Sequence, residues 1–265
     1  MKLDPGRLFI GGLFAAAACS SSPDLSKAIT HPDGGTIDVG TTMMNCPTSN
    51  GPVDPTAMID DMESGGDPNI PMTSGRNGSW WAGGDSVSPN AMIVPSNTGG
   101  PASVIPNGGR CGSLHAMRAT ISGQGFTSWA VLTVSMRYGS DGDGGTGILP
   151  YDVHYRNGIT FWARVSDTSA ADVRFGVSDK WSRPEGGICD ASVTNGPTAC
   201  YDTFGVPLTQ LGTTWTQYQI PFGGLSQRMF GLQRQTLDTT AIYTIDFNFQ
   251  TGEIFDFWVD DIAFY

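Results

Sequence analysis

Two kinds of side chain here could do chemistry at defined places: carboxylates inside strand-like runs, and tryptophans set among glycines. The stretch "FDFWVDDIAFY", Phe255 to Tyr265, holds adjacent Asp260 and Asp261 in a run whose large residues recur at every second place. On strict period two, Asp260 shares a face with Trp258, Ile262 and Phe264. A carboxylate buried there must find a cation, several donors or water, because leaving it unpaired is costly. The stretch "RNGSWWAGGD", Arg76 to Asp85, sets Trp80 beside Trp81. Neighbours in an extended chain point to opposite sides, so one ring packs inward while the other faces out. An exposed flat ring with polar neighbours suits a sugar. The C–H face of the sugar stacks on the π face of the ring, and its hydroxyls engage Asp, Asn, Gln and Arg.

Hydrolysis of a glycosidic bond would need two carboxylates roughly 5 to 10 Å apart. The only glutamates are Glu63, Glu185 and Glu253, far apart in sequence, and the ExDxxE spacing of laminarinase-like sandwiches is absent. A jelly-roll glycosidase would therefore have to use an aspartate pair. The chain has no GxSxG nucleophile elbow, and none of its histidines sits in a triad context. A second acidic loop, "SDGDGGTG", places Asp141 and Asp143 two residues apart, but the distal acid of an EF-hand is missing and the loop reads as a solvated turn.

Charge narrows the partners further. A formal net charge of −11 with only 14 basic residues argues against nucleic acid, whose phosphates demand clustered Lys and Arg. The amino terminus, "LFIGGLFAAAACSSS", joins a short apolar run, Leu8 to Ala18, to small residues and Cys19, with Lys2 and Arg7 ahead of it. It resembles a bacterial lipoprotein signal. That implies residues 1–19 as signal peptide, Cys19 as the lipidated residue and the cell envelope as destination, either as an outer-membrane lipoprotein or by simple secretion. The membrane would be touched only through that lipid. Export leaves Cys46, Cys111, Cys189 and Cys200, an even number in an oxidising compartment. Cys189 and Cys200 flank a loop that a bridge could staple, and Cys46 with Cys111 then follows by default, although three connectivities are formally possible.

The elements that must position these residues read as strands. Residues 20–56 are rich in Ser, Thr, Pro, Gly and Asp without apolar periodicity and read as a flexible linker. From Ala57 to Tyr265, β-forming runs such as "SWWAGG", "WAVLTVSMRY", "GITFWARVS", "DVRFGVSD" and "IYTIDFNFQ" alternate with Gly, Pro and Asn clusters. About ten strands with no βαβ rhythm and no helix of useful length predict one all-β domain, a β-sandwich of jelly-roll type.

The order of the pieces resembles family 11 carbohydrate-binding modules and related galactose-binding-like jelly rolls. "IDDMESG", Ile59 to Gly65, stands for the family's opening apolar-Asp-Asp-aromatic-Glu-Gly strand. "TWTQYQIPFGGL", Thr214 to Leu225, stands for its Trp strand leading into Ile-Pro-Phe, and "WVDDIAFY" for its closing strand. The resemblance implies non-catalytic binding of a β-glucan-like polysaccharide. Its platform aromatics would be Trp81, Trp129 (with Phe126 nearby) and Phe249, its sugar-binding arginine Arg228, and its carboxylate Asp179. It also implies a structural Ca²⁺ beside the first and last strands, with Asp60, Glu63 and Asp260 as ligands. Phe230 and Gly231 depart from the acid and tyrosine that follow the arginine in the family. A structural or adhesive surface protein that binds another protein is the third class this sequence fits.

Overall fold

The computed structural model of the chain describes residues 54–64, 68–86, 92–94, 103–104, 109–110, 113–122, 126–140, 146–167 and 169–265. The chain divides into Met1–Asn45 and Cys46–Tyr265, and all described residues fall in the second unit. The expected signal peptide with Cys19, most of the expected linker, Cys46, Cys111, Asp141 and Asp143 lie outside the described residues.

The described residues form an all-β jelly-roll sandwich. The strands are β1 (Met58–Asp60), β2 (Trp80–Ser86), β3 (Met92–Val94), β4 (Ser103–Val104), β5 (Met117–Ser122), β6 (Phe126–Ser135) and β7 (Arg137–Ser140). There follow β8 (Thr146–Leu149), β9 (Gly158–Val165), β10 (Val173–Asp179), β11 (Phe204–Pro207), β12 (Thr216–Pro221), β13 (Ile242–Phe249) and β14 (Phe255–Phe264). The first sheet runs β12-β9-β14-β5-β3, with β1 also paired to β14 and β4 to β5. The second runs β11-β10-β13-β6-β2, and β7 with β8 forms a separate hairpin.

Alternation along each strand sends one set of side chains into the space between the sheets. Ile159, Phe161 and Ala163 of β9 meet Phe175 and Val177 of β10, Ile245 and Phe247 of β13, and Phe257 and Val259 of β14 there. The aromatic centre is closely packed: Phe161 stacks on Phe175 at 5.2 Å, and Phe247 meets Phe257 at 5.0 Å between ring centroids.

The paired aspartates mark a bulge, which corrects the strict alternation expected for the last strand. Register shifts between Asp260 and Ala263, and Asp261 adopts φ 49°. One extra residue inverts the parity. Phe255, Phe257 and Val259 enter the core before the bulge, and Ile262 and Phe264 after it. Asp260 therefore leaves the face of Ile262 and Phe264 and keeps company only with Trp258. At the other end of the chain, β1 is three residues long, and Met62, expected to continue it, turns instead at φ 61° with its N–H bonded to Asp60 Oδ1.

Arg76 ties this short strand down. It is among the largest fully buried side chains, and its guanidinium donates to the carbonyls of Thr56 and Met58 and to Tyr151 Oη. The rings of Tyr151 and Phe264 lie 5.5 and 5.8 Å from its Cζ.

Candidate functional site

Two outer sheet faces are available, and their aromatics differ. On the first sheet, Trp162 and Trp258 are buried, because the guanidiniums of Arg110 and Arg164 sit 4.3 and 4.0 Å from their ring centroids. Those rings are covered. On the second sheet, Trp129 is 47% exposed and Trp81 half-buried.

Register assembles the second face. Trp81, Thr133, Asp246 and Gly176 stand in one row across β2, β6, β13 and β10, and Gly83, Val131, Asn248 and Arg174 stand in the next. Their chain neighbours Trp80, Ala82, Leu132, Val134, Ile245, Phe247 and Phe175 are core residues, so these rows face outward. Two glycines keep the floor low. A Cβ on Gly83 would meet Trp81 Cζ3 at 3.2 Å and Trp129 Cη2 and Cζ3 at 3.5 Å, so the two indoles close around a position that carries no side chain. A Cβ on Gly176 would come within 2.9 Å of Thr203 Oγ1. Asp85 fixes the start of β6 by accepting the N–H groups of Ser128 and Trp129, which holds the exposed indole beside Trp81.

The face runs on into an open cleft of about 500 Å³ whose lining includes Ser128, Asp172, Arg174, Arg228, Asn248 and Gln250. Arg228 reaches it from a loop organised by one carboxylate. Buried Asp202 accepts the N–H groups of Arg228, Phe230 and Gly231 together with Nε2 of Gln233. Tyr201 and Met229, beside that carboxylate and that arginine, sit at φ 71° and 72°, and both are exposed. Immediately before Tyr201, Cys200 is bridged to Cys189, one of the expected pairings. Burial lowers the pKa of both Arg174 and Arg228, and the charge of Arg228 lowers that of Arg174 further.

The structure thus brings Trp81, Trp129 and Arg228 to one face, together with Arg174, Asn248 and Asp246, which sequence reasoning did not single out. Their signal was present: in "DVRFGVSD" and "IYTIDFNFQ" they hold the outward parity opposite the phenylalanines. Asp246 lies on the floor, where burial pushes its carboxyl pKa up and Thr133 Oγ1 donates to it.

Two expected ligand contacts are placed elsewhere. Phe249 has core parity and packs on Phe255 and Phe257 at 5.0 and 5.6 Å, reaching the cleft only as part of its wall. Asp179 is fully buried and closes the turn after β10. Its Oδ1 accepts the N–H groups of Trp181 and Ser182, and its Oδ2 that of Asp238. The Asp179 carboxylate is thus taken up by its own turn and by the N–H of Asp238.

The carboxylates expected around calcium are engaged by protein donors. Asp60 accepts Met62 N–H and the indole Nε1–H of Trp80, and Asp260 accepts the N–H groups of Arg110 and Asp261. Glu63 accepts Ser113 Oγ–H and the N–H groups of Leu114 and His115. Burial works against the Glu63 charge, but these donors hold its pKa below the usual range. Among the described residues no three acidic, His or Cys side chains gather as a metal cluster.

No known protein family and no curated protein matches the chain in sequence. Among solved structures it is similar to a family 11 carbohydrate-binding module from Clostridium thermocellum in complex with a β-1,3-1,4-mixed-linked tetrasaccharide. The identity is 17% and the TM-score 0.48, over 78% of this chain and 94% of that one. A family 30 carbohydrate-binding module of a cellulosomal cellulase of the same organism aligns at 15% identity and TM-score 0.47, over 70% and 90% of the two chains. An agarase aligns at 7% identity and TM-score 0.40, over 78% of this chain and 26% of its own length.

Proposed function

We propose that this domain binds polysaccharide without cleaving it, along the outer face of the second sheet. The observation that carries the reading is the pair Trp81 and Trp129 flanking Gly83 on a face that also presents Thr133, Asp246, Asn248 and Arg174. Two indoles offer stacking to successive sugar rings. Asn248, Arg174 and Arg228 lie where hydroxyl groups would emerge. A β-glucan is the ligand that the sequence resemblance implies. The same reading makes the domain an exported one. The Cys189–Cys200 bridge belongs to an oxidising compartment, and Cys19 would carry the lipid.

Trp81→Ala and Trp129→Ala test it. Each is expected to weaken polysaccharide binding about tenfold in calorimetry while the melting curve stays near the parent's, and no reducing sugar should be released in the same wells. Folded variants that bind as the parent does would remove the face from consideration, and release of reducing sugar would replace binding by hydrolysis. A domain that is silent on polysaccharide but captures a protein through exposed Tyr201 and Met229 would favour adhesion.

A further inference from the structure

The binding reading can be deepened, on the premise that it holds. We propose that the polysaccharide is acidic, and that Arg174 and Arg228 receive a carboxylate or sulfate group of a sugar seated beside Trp129.

The argument begins from where the other cations spend their charge. Arg110 pairs with Asp261, Arg118 with Asp256, Arg156 with Asp54, Lys180 with Asp238 and Arg183 with Glu185. Buried Arg76 is taken up by carbonyls and Tyr151. In a chain with a formal net charge of −11, such neutralisation is expected. Arg164 lies over the rings of Trp215 and Trp258, Arg234 lies over that of Trp181, and Arg137 donates to the carbonyl of Pro150. The cleft differs in bringing two guanidiniums to one space. Arg174 donates only to the carbonyl of Ser226, and the guanidinium of Arg228 makes no hydrogen bond or ion pair among the described residues. The charge of Asp202 acts to raise the pKa of both arginines, but its oxygens bond the loop N–H groups and Gln233 and neither guanidinium. Asp172 is the single carboxylate in the lining, and it is exposed.

Two like charges drawn partly out of water and facing one space are held at a cost that an anion would relieve. Burial lowers both pKa values, and Arg228 lowers that of Arg174 further, in keeping with this strain. A neutral hydroxyl accepts a hydrogen bond but cancels no charge. A carboxylate or sulfate matches the planar fork of a guanidinium with two parallel bonds. Asn248 and Ser128, in the same lining, supply uncharged groups for the ring hydroxyls of that sugar.

Calorimetry of the purified protein would compare polygalacturonate with its carboxyl-reduced form, carrageenan with its desulfated form, and mixed-linked β-glucan, each at low and high salt. The expected result is binding to one acidic polymer that falls at least about tenfold on reduction or desulfation and weakens with salt. The polymer that binds identifies the anion as carboxylate or sulfate. Arg174→Gln and Arg228→Gln should abolish the preference for the acidic form without lowering the melting temperature, whereas Trp129→Ala weakens acidic and neutral forms alike. Equal binding of the acidic and neutral forms, binding of β-glucan alone, or a preference that survives both arginine variants would overturn the acidic ligand and leave polysaccharide binding standing. Silence on all five polymers would overturn the binding reading and this inference together.

Discussion

Asp260 is a buried carboxyl whose titration the fold feels near neutral pH. Burial pushes it up to about 7, the N–H of Arg110 works against that rise, and the neighbouring charge of Asp261 adds to it. In the unfolded chain the same group ionises near about 3.9. Between those values the folded state keeps a proton that the unfolded state has lost, so stability falls as pH rises through this window and levels off above 7. Asp246 is shifted in the same direction by burial and adds to the slope. Asp238 works the other way. Burial opposes its charge, yet Lys180 and Thr240 hold it down to about 2, so its contribution is complete above about 3.9 and is lost as pH falls toward 2. The melting temperature is therefore expected to decline from about pH 4 to pH 7, and Asp260→Asn to flatten much of that decline. A variant with the parent's slope would place the titration elsewhere. The chemistry of this residue was legible in the sequence, since a carboxylate in an apolar strand must be satisfied. Its orientation was not, because nothing in "WVDDIAF" marks the left-handed residue at Asp261 that inverts the alternation.

At the scale of elements, β1 shows how a three-residue strand is kept. Its ladder to β14 is short, and the guanidinium of Arg76 supplements it by holding the carbonyls of Thr56 and Met58. Removing the cation leaves these acceptors without their donor in a buried site. Arg76→Met is expected to cost about 3 kcal/mol in urea unfolding, with β1 losing hydrogen-exchange protection before β9 and β13. A loss within about 0.5 kcal/mol would mean that β14 alone holds the strand. Long strands follow period two: Ile159, Phe161 and Ala163 of β9 share the core face, as do Tyr218 and Ile220 of β12. The short strands β3, β4, β7 and β8 were not legible in the sequence, because strands of two to four residues offer too few alternations to separate from a turn. Register is the other unreadable quantity. Only cross-strand pairing puts Arg174, Asn248 and Trp81 on one face, although each was plainly outward within its own strand.

For the molecule as a whole, the Cys189–Cys200 bridge closes a loop with a sequence separation of 11 between its cysteines, just before the segment that carries Tyr201 and Asp202. Restricting a loop of that length in the unfolded chain is worth about 3 kcal/mol. Cys189→Ser with Cys200→Ser is expected to lower the unfolding free energy by roughly that amount, and a reducing agent should lower the melting temperature of the parent but not of the double variant. A parent indifferent to reduction would show the loop to be held by Asp202 instead. A different feature reaches furthest beyond this. β1 pairs with β14, with Met58 opposite Ala263, so the entry and exit of the folded unit are neighbours in one sheet. A few linking residues would close the chain into a ring, and a new opening at an exposed turn such as 194–198 would yield a circular permutant with the same two sheets. The sandwich is in that sense a cyclic object, and the place where its sequence starts is separable from what it is.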